Sequence, residues 1–260
     1  MVELPRLVSD TAYATYEAQL AKEVKSGEIP KHIAIIMDGN RRYAREVLNA
    51  APSEGHKLGR DKLEEVVHWC MDLGVRNLTV YAFSTENFKR DPEEVEYILD
   101  LLKITLYKFA EDKDVHSRRL SIKVIGDRDL LPDYLLEAVE YAESRTKDYD
   151  DYHLNIAVAY GGRQEIARAV REIAEGVKSG SIAIEDIDEE LISDHIGAIS
   201  VTDPDLILRT SGEIRISNFL LWQMAYSELY FTDVFWPGFR YIDLLRAIRT
   251  YQQRKRRYGA

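Results

Sequence analysis

The chain has 260 residues, of which 45 % are hydrophobic and 31 % charged, as in an ordinary folded domain. Its 35 basic and 45 acidic residues give a net charge of −10, which argues against a general nucleic-acid binder. The single cysteine, Cys70, excludes intrachain disulfides and cysteine-ligated metal clusters. No apolar run approaches the roughly 18 residues of a membrane span, and the first residues lack a signal-peptide pattern. We therefore expect a cytoplasmic protein, with peripheral membrane contact as a further option.

Short apolar runs alternate along the chain with longer segments in which apolar residues recur at helical spacing. Residues 1–30 predict an amphipathic helix and a loop, a helical extension ahead of one domain at 31–260. Apolar runs rich in β-branched residues are typical of buried parallel strands. The predicted strands are 32–37, 77–83, 120–125, 153–159 and 206–208, and the helices that follow the extension are 57–73, 92–110, 132–146, 163–177 and 242–254.

This alternation predicts the fold class. Repeated strand–turn–helix units favour a single α/β domain with a central, mostly parallel sheet flanked by helices. In such a sheet the loops that follow the strands gather along one edge, and ligands bind in the crevice there. The loops predicted at this edge are 38–43, 84–90, 126–129, 160–163 and 209–217.

The arginines of loops 38–43, 84–90 and 209–217 favour a phosphate-bearing ligand because guanidinium groups bind phosphate in a bidentate manner. A single arginine is more often a surface ion-pair partner, but convergence at one edge weakens that alternative. Neither a P-loop nor a dinucleotide-binding glycine motif is present in the sequence. The arginines concerned are Arg41, Arg42, Arg90, Arg209 and Arg215.

Three other polar residues are candidates for the same site. Asp38 ends the first strand ahead of Gly39, as either a turn-forming aspartate or an ionised Mg²⁺ ligand beside phosphate. Glu228 stands among large apolar residues, and an ordinary surface glutamate is its alternative. His56 precedes a helix, where it serves either as a capping or core histidine or as a phosphate contact.

The helix at 92–110 has a broad apolar face. Core packing is the ordinary account of such a face. Because the helix directly follows the arginine-bearing loop 84–90, its face also suits the wall of an apolar tunnel. Ala82, at the end of the second strand, stands close to where a long chain would enter it, and Val95 lies on the apolar face of the helix. The sequence thus predicts a site with a polyanionic end and an apolar end.

Six segments resemble, in order and spacing, the signature blocks of the cis-prenyltransferases, the family of the undecaprenyl and dehydrodolichyl diphosphate synthases. Members add isopentenyl diphosphate head-to-tail to an allylic diphosphate of the farnesyl or geranylgeranyl class, form a cis double bond and release diphosphate. The resemblance therefore implies a prenyl transferase that needs Mg²⁺ and makes a long-chain polyprenyl diphosphate, a lipid-carrier precursor. The segments are HIAIIMDGNRRYAR, GHKLG, VYAFSTENFKR, NIAVAYGGRQEI, RTSGEIRISNFLLWQ and YSELYFTDVFWPGF, within about residues 31–260.

The resemblance also implies roles for individual residues. Asp38 is expected to be catalytic and to bind Mg²⁺ together with Glu228, while Ser84 and Asn87 assist ionisation and proton loss. Isopentenyl diphosphate is expected at Arg209, Arg215 and Ser217. The allylic diphosphate is expected at Gly39, Asn40, Arg41, Arg42, His56 and Arg90, with Tyr43 and Phe88 as further substrate-binding residues.

The basic tail QRKRRYGA resembles the family segment that reaches into the partner's site of a homodimer. Other features depart from the family pattern. Arg41 stands where many bacterial members have glycine, and Tyr43 replaces their tryptophan. Residues 46–54 form a segment one residue longer than in those members and contain no arginine. These departures predict different handling of the allylic substrate or its head group.

Two other functions stay open at this point. One is a non-catalytic scaffold subunit of a heteromeric prenyltransferase, although such relatives lose the catalytic aspartate and Asp38 is present. The other is a prenyltransferase with a non-isoprenoid acceptor, although Arg209, Arg215 and Ser217 favour a diphosphate acceptor.

Overall fold

A computed structural model of the protein describes residues 6–196 and 202–254. The strands are β1 (His32–Ile36), β2 (Asn77–Ser84), β3 (Leu120–Ile125), β4 (Tyr152–Tyr160), β5 (Leu206–Arg209) and β6 (Glu228–Phe231). They form one six-stranded sheet in the order β3-β4-β2-β1-β5-β6. All neighbouring strands in this sheet are parallel, so the predicted α/β fold is confirmed.

Helices cover the sheet and join its strands. A single π-helical turn follows the second helix, at Ala44–Leu48. The α-helices of the described residues are α1 (Arg6–Ser26), α2 (Asn40–Tyr43), α3 (Pro52–Leu73), α4 (Pro92–Glu111), α5 (Lys113–Ser117), α6 (Asp133–Thr146), α7 (Gly162–Ser179), α8 (Glu189–Ile196) and α9 (Tyr241–Gln253).

The sheet separates two apolar cores. Successive side chains of a strand point to opposite faces, so Ile33 and Ile35 of β1 enter the larger core while Ala34 and Ile36 enter the smaller one. All five residues of β1 are buried, which explains why its sequence is continuously apolar rather than alternating. Helices α1, α3, α4, α6 and α9 contribute to the larger core.

The first helix packs into this same core. Leu20 and Val24 of α1 are buried with the residues of α9, and the Gln252 side-chain amide donates to the Val24 carbonyl oxygen at 2.9 Å. The N-terminal helix is therefore tied to the end of the described chain. Within the described residues, no helix combines the length and the apolar character needed to cross a membrane.

Local signals set the helix ends. The Asp91 carboxylate accepts the Glu93 backbone N–H at 3.0 Å and caps α4, with Pro92 at its first position. Gly74 ends α3 with φ 83°, in the left-handed region. This helix begins at Pro52, five residues before the predicted 57, because proline is also favourable in a first helical turn.

The π-helical turn at Ala44–Leu48 was not expected from the sequence. It overlaps the start of segment 46–54, and Asn49 ends it in the left-handed conformation with φ 51°. A π-helical turn closes its hydrogen bonds from i to i+5 and so holds one more residue than an α-helical turn.

Strand β6 was also missed, and it decides the position of Glu228. In the parallel pairing of β5 with β6, Leu206 lies opposite Glu228 and Arg209 lies opposite Phe231. Glu228 therefore stands at the amino end of its strand, about 10 Å along the strand direction from the level of Arg209. The Glu228 carboxylate instead accepts a hydrogen bond from Arg254 at 2.6 Å.

A row of buried polar side chains crosses β1, β2 and β4 at the amino end of the sheet. His32 Nδ1 lies 2.7 Å from the Thr202 carbonyl oxygen and therefore carries the proton, while Nε2 lies 2.8 Å from the Thr79 hydroxyl. The Asn155 amide donates to the same hydroxyl oxygen at 3.1 Å. This network satisfies a neutral imidazole, and burial lowers the pKa of His32 to about 4.

We predict that acidification destabilises the protein through His32. The folded-state pKa lies below the unfolded value of 6.5, so the unfolded chain binds the proton more tightly and stability falls as the pH drops from 6.5 towards 4. Between pH 7 and pH 5 this residue should remove about 2 kcal/mol of unfolding free energy. Urea denaturation at both pH values, with wild type and His32→Gln, measures it. An identical pH dependence in both proteins would contradict the prediction.

Candidate active site

A cavity of about 890 Å³ lies at the carboxyl ends of β1, β2 and β5. Residues of loops 38–43, 84–90 and 209–217 line it, so the structure brings together side chains that are distant in the sequence. The predicted site residues that line it are Asp38, Gly39, Asn40, Arg41, Arg42, His56, Ser84, Asn87, Arg90, Arg209, Arg215 and Ser217.

Asp38 and Arg209 form the centre of this cavity. Arg209 Nη2 donates to the Asp38 carboxylate at 2.7 Å, and only 4 % of the arginine side chain is exposed. The Thr210 hydroxyl donates to the Asp38 carbonyl oxygen at 2.7 Å, and Asp38 N–H lies 2.9 Å from the same hydroxyl. The ends of β1 and β5 are thereby locked together, and the carboxylate is held facing the cavity.

The turn after β1 requires glycine. Gly39 has φ 106°, and a Cβ there would lie 2.8 Å from the Phe235 ring and 2.9 Å from Ser211 Cβ. This close approach lets Arg42 reach back across the turn, where it donates to the Ser211 hydroxyl and pairs with Glu213 at 3.3 Å. The Nη2 of Arg42 that donates to Ser211 also lies 3.7 Å from the Asp38 carboxylate. Arg42 therefore links the 38–43 loop with the 209–217 loop.

Arg209 also organises the loop that follows β5. Its Nη1 donates to the Ser217 hydroxyl at 2.7 Å and to the Arg215 carbonyl oxygen. Arg215 itself is exposed, with 62 % of its side chain accessible, and pairs with Glu213 at 2.5 Å. The loop thus presents one buried guanidinium, one exposed guanidinium and a hydroxyl to the cavity.

Ser84 and Asn87 are held by each other. The Asn87 side-chain oxygen accepts the Ser84 backbone N–H at 3.0 Å, which caps the short 3₁₀ turn at Thr85–Lys89. Both residues line the cavity from the end of β2, which neighbours β1 in the sheet. They add small polar groups to a cavity that is otherwise lined by many arginines.

A single carboxylate behind the cavity wall anchors two arginines and a histidine. Glu94 Oε1 lies 3.0 Å from His56 Nε2, 3.1 Å from Arg90 Nη1 and 3.6 Å from Arg41 Nε. Burial alone would raise the pKa of Glu94, but the His56 hydrogen bond and the charges of Arg90 and Arg41 outweigh it and lower the pKa. Burial also lowers the pKa of His56. The Arg41 and Arg90 side chains are in this way directed to the same wall.

Three predicted substrate or tunnel residues do not line this cavity. Tyr43 packs edge-on against Phe235, with ring centroids 6.5 Å apart, and Phe88 packs edge-on against Phe83 at 4.9 Å. Val95 and Phe88 instead line a separate, mainly apolar cavity of about 530 Å³ beside the start of α6. Of the predicted dimer tail QRKRRYGA, residues 255–260 lie outside the described residues.

Four residues that sequence reasoning did not select belong to the site. Arg45, carried by the π-helical turn, lines the cavity, as do Glu86 and Asn218. Glu94 does not line it but holds three residues that do. The spacing of Arg90 and Glu94, four positions apart at a helix start, was a usable signal. The position of Asn218 had none, since its partners lie far away in the sequence.

One wall of the cavity is apolar. Met37, Tyr81, Ala82 and Ile98 line it next to the charged groups. Ile98 belongs to α4, so the expectation that this helix faces the site holds for Ile98. Val95, one turn earlier, faces the separate cavity. The cavity therefore combines an arginine-rich end with an apolar wall.

Of the two residues predicted to bind Mg²⁺, Asp38 lines the cavity and Glu228 does not. About a third of the Asp38 side chain is exposed, and it lies beside cations that would neutralise a diphosphate. Mg²⁺ commonly takes one or two carboxylates and completes its shell with phosphate oxygens and water. Asp38 fits such an ion. A different metal-compatible group, His68, Asp112 and Asp114, has ligand atoms within 4.8 Å of one another but lines no part of this cavity.

Comparisons with known proteins identify relatives over nearly the whole chain. The prenyltransferase family model, described as undecaprenyl diphosphate synthase, matches residues 36–259. A protein of Thermococcus kodakarensis is 52 % identical over 256 residues, covering 98 % of this chain and 97 % of its own. One of Methanopyrus kandleri is 53 % identical over 247 residues, covering 95 % and 91 %. Both are named tritrans,polycis-undecaprenyl-diphosphate synthase (geranylgeranyl-diphosphate specific).

Two solved structures are similar in fold and sequence. Lavandulyl diphosphate synthase from Lavandula x intermedia, in complex with dimethylallyl diphosphate, has a TM-score of 0.85 and 36 % identity, covering 92 % of this chain and 100 % of its own. A probable undecaprenyl diphosphate synthase from Campylobacter jejuni has a TM-score of 0.72 and 31 % identity, covering 90 % and 99 %.

We predict that Asp38→Ala destabilises the fold. The substitution leaves the buried Arg209 guanidinium without its carboxylate, and an unpaired buried polar group costs about 1 to 3 kcal/mol. Asp38→Asn keeps an oxygen that can accept from Arg209 and should lose less. Urea denaturation of both variants and wild type at pH 7 gives the three unfolding free energies. Wild-type stability of the alanine variant would show that the pair does not stabilise the fold.

Proposed function

The chain belongs to the undecaprenyl diphosphate synthase family of cis-prenyltransferases, and we propose that it performs the family's reaction in the cavity around Asp38. The reaction joins isopentenyl diphosphate to an allylic diphosphate and releases diphosphate. The observation that carries the assignment of the site is one arrangement: two groups of arginines converge on Asp38 beside an apolar wall. Two diphosphates and a growing hydrocarbon chain need those three surfaces together.

The two groups of cations suggest two diphosphate subsites. We assign the allylic diphosphate to Gly39, Asn40, Arg42 and the three groups anchored by Glu94, which are Arg41, Arg90 and His56. We assign isopentenyl diphosphate to Arg209, Arg215 and Ser217. Arg42 and Asp38 stand between these two sets, so both substrates would lie side by side with their reacting carbons oriented.

The chemistry that these residues assist is the breaking of an allylic carbon–oxygen bond. Arg41, Arg42 and Arg90 would stabilise the negative charge that develops on the leaving diphosphate. Met37, Ala82 and Ile98 would exclude water from the carbocation that remains. Ser84 and Asn87, which line the same cavity, would accept or relay the proton lost from the acceptor. Mg²⁺ held by Asp38 and diphosphate oxygens would supply additional charge neutralisation.

For the starter we propose geranylgeranyl diphosphate, and for the product a long-chain polycis-prenyl diphosphate. The names of the relatives at 52 % and 53 % identity support this choice. One departure from bacterial members, Arg41, lines the cavity among the residues assigned to the allylic diphosphate and agrees with a distinct starter. A homodimer with the basic tail in the partner's site, and peripheral membrane contact, remain parts of this proposal.

The function is tested by incubating the purified protein with labelled isopentenyl diphosphate and the C10, C15 or C20 allylic diphosphate. We expect incorporation to be highest with C20, to require Mg²⁺ and to stop when EDTA is added. Reversed-phase chromatography of the products gives their chain lengths. No incorporation with any starter in the presence of Mg²⁺ would exclude the proposed reaction. Transfer of a labelled starter to an added alcohol would instead support a non-isoprenoid acceptor.

We predict that Ala82→Leu shortens the products. Ala82 lines the apolar wall, so a larger side chain narrows the path of the growing chain while the diphosphate groups stay untouched. Overpacking at a cost of about 1 to 3 kcal/mol is tolerable in a domain of this size. Early condensations should survive and longer products disappear. The variant's melting curve is recorded beside its product distribution.

Val95→Phe is the matched control for that substitution. Val95 lines the separate cavity beside α6 and not the proposed substrate cavity. It should leave the product length unchanged, although it adds similar bulk to the same region of the fold. Equal shortening by both variants would show that the separate cavity also holds the chain. An unchanged distribution in an active Ala82→Leu protein would remove Ala82 from the chain's path.

A further inference from the structure

The loop after β5 has an unusual backbone. Ser211, Ser217, Asn218 and Leu220 all have positive φ, at 75°, 48°, 63° and 45°, although none is glycine. Such conformations cost free energy and persist only where the surroundings enforce them. Three of the four lie within four consecutive residues, 217–220, directly after the exposed Arg215. The interactions that enforce this part of the loop therefore also determine where Ser217 and Arg215 stand.

Asn218 makes the interactions that hold the loop. Its carbonyl oxygen accepts the Gly162 N–H at 2.8 Å, and its side-chain oxygen accepts the Arg163 N–H at 2.9 Å. Its side-chain amide donates to Gln164 Oε1 at 3.1 Å and to Glu86 Oε1 at 3.3 Å. An asparagine amide has two donor hydrogens, so both are used. Asparagine is also one of the few residues that tolerate a left-handed backbone.

These bonds join three separate segments at the mouth of the cavity. Glu86 belongs to the loop after β2, between Ser84 and Asn87, while Gln164 and the two backbone donors belong to the start of α7. Asn218 itself directly follows Ser217, whose hydroxyl accepts from Arg209 at 2.7 Å. One side chain therefore connects the Ser84–Asn87 pair to the loop that carries Ser217.

Tyr81 supports the backbone on both sides of Asn218 from the core. Its hydroxyl lies 3.1 Å from the Tyr160 carbonyl oxygen and 3.4 Å from that of Ser217. Its ring stacks on Phe219 with centroids 4.6 Å apart. The backbone on both sides of Asn218 is thus supported by the core, and the Asn218 side chain adds the lateral connection that Tyr81 does not provide.

We propose that Asn218 is a positioning residue, which sets the separation between the acceptor-diphosphate subsite and the Ser84–Asn87 pair. This inference rests on the proposed function, because it takes Arg209, Arg215 and Ser217 to bind isopentenyl diphosphate. Asn218 acts through Ser217 and Glu86 and needs no contact of its own with the reacting atoms. Without the Asn218 side chain, the 209–217 loop is no longer held at a fixed position relative to the loop after β2.

The test compares Asn218→Gly with Asn49→Gly. Glycine adopts positive φ freely, so the backbone at 218 is retained while three side-chain hydrogen bonds are lost. Asn49 has φ 51° and does not line the cavity, so its variant makes the same chemical change in the same backbone conformation. Steady-state kinetics are measured with each substrate varied in turn, beside melting curves.

We expect Asn218→Gly to lower kcat/KM for isopentenyl diphosphate by about ten- to a hundredfold, as small misplacements of reactants do. The KM for the allylic diphosphate should stay within about twofold of wild type, because the residues assigned to it lie on other loops. Asn49→Gly should match wild type in both constants. If the glycine variant does not fold, Asn218→Asp serves instead, since it keeps the acceptor for Arg163 but loses both donors and should give the same asymmetry.

Three results would overturn the inference. They are unchanged constants for both substrates, equal losses for both, and losses that Asn49→Gly reproduces. Failure of the proposed function is recognised separately, because then wild type itself would incorporate no isopentenyl diphosphate.

Discussion

The site depends on a buried guanidinium whose charge is balanced by one carboxylate. Arg209 ends β5 with only 4 % of its side chain exposed, and Asp38, after the neighbouring strand, accepts from it at 2.7 Å. A buried charge is stable only when it is paired and hydrogen-bonded, so this pair fixes the relative positions of the two strand ends. The same guanidinium holds Ser217 and the Arg215 carbonyl, which extends the constraint to the following loop.

The cavity has a charge opposite to that of the whole protein. The chain carries a net charge of −10, yet six arginines and only two carboxylates line this one cavity. Such concentration creates a local positive potential that attracts anions although the molecule as a whole is acidic. Holding six like charges together requires counter-ions in the free protein. Asp38, Glu94 and Glu213 provide them from three different elements, so the arginines are already oriented when an anion arrives.

Much of this arrangement was contained in local sequence patterns. Continuous apolar runs such as 32–36 predicted a parallel sheet, because strands buried on both faces need no polar side. Parallel strands in turn predicted that loops 38–43, 84–90 and 209–217 would meet, so the convergence of their arginines followed from chain direction alone. The order of the signature segments identified the family. All of these conclusions depend on residues close together in the chain or on the general geometry of parallel sheets.

The remaining features needed the folded structure, because they depend on contacts between segments that are far apart in sequence. The register of β6 on β5 put Glu228 at the end of the sheet remote from Asp38, although both had been assigned to one metal ion. Val95 and Ile98 lie about one turn apart on α4, but their side chains line two different cavities. Asn218 bonds to partners 54 and 132 positions distant. Sequence thus determined most of the strands and helices and the sheet edge at which the arginines meet, whereas register, side-chain direction and long-range hydrogen bonds are settled only when the elements pack.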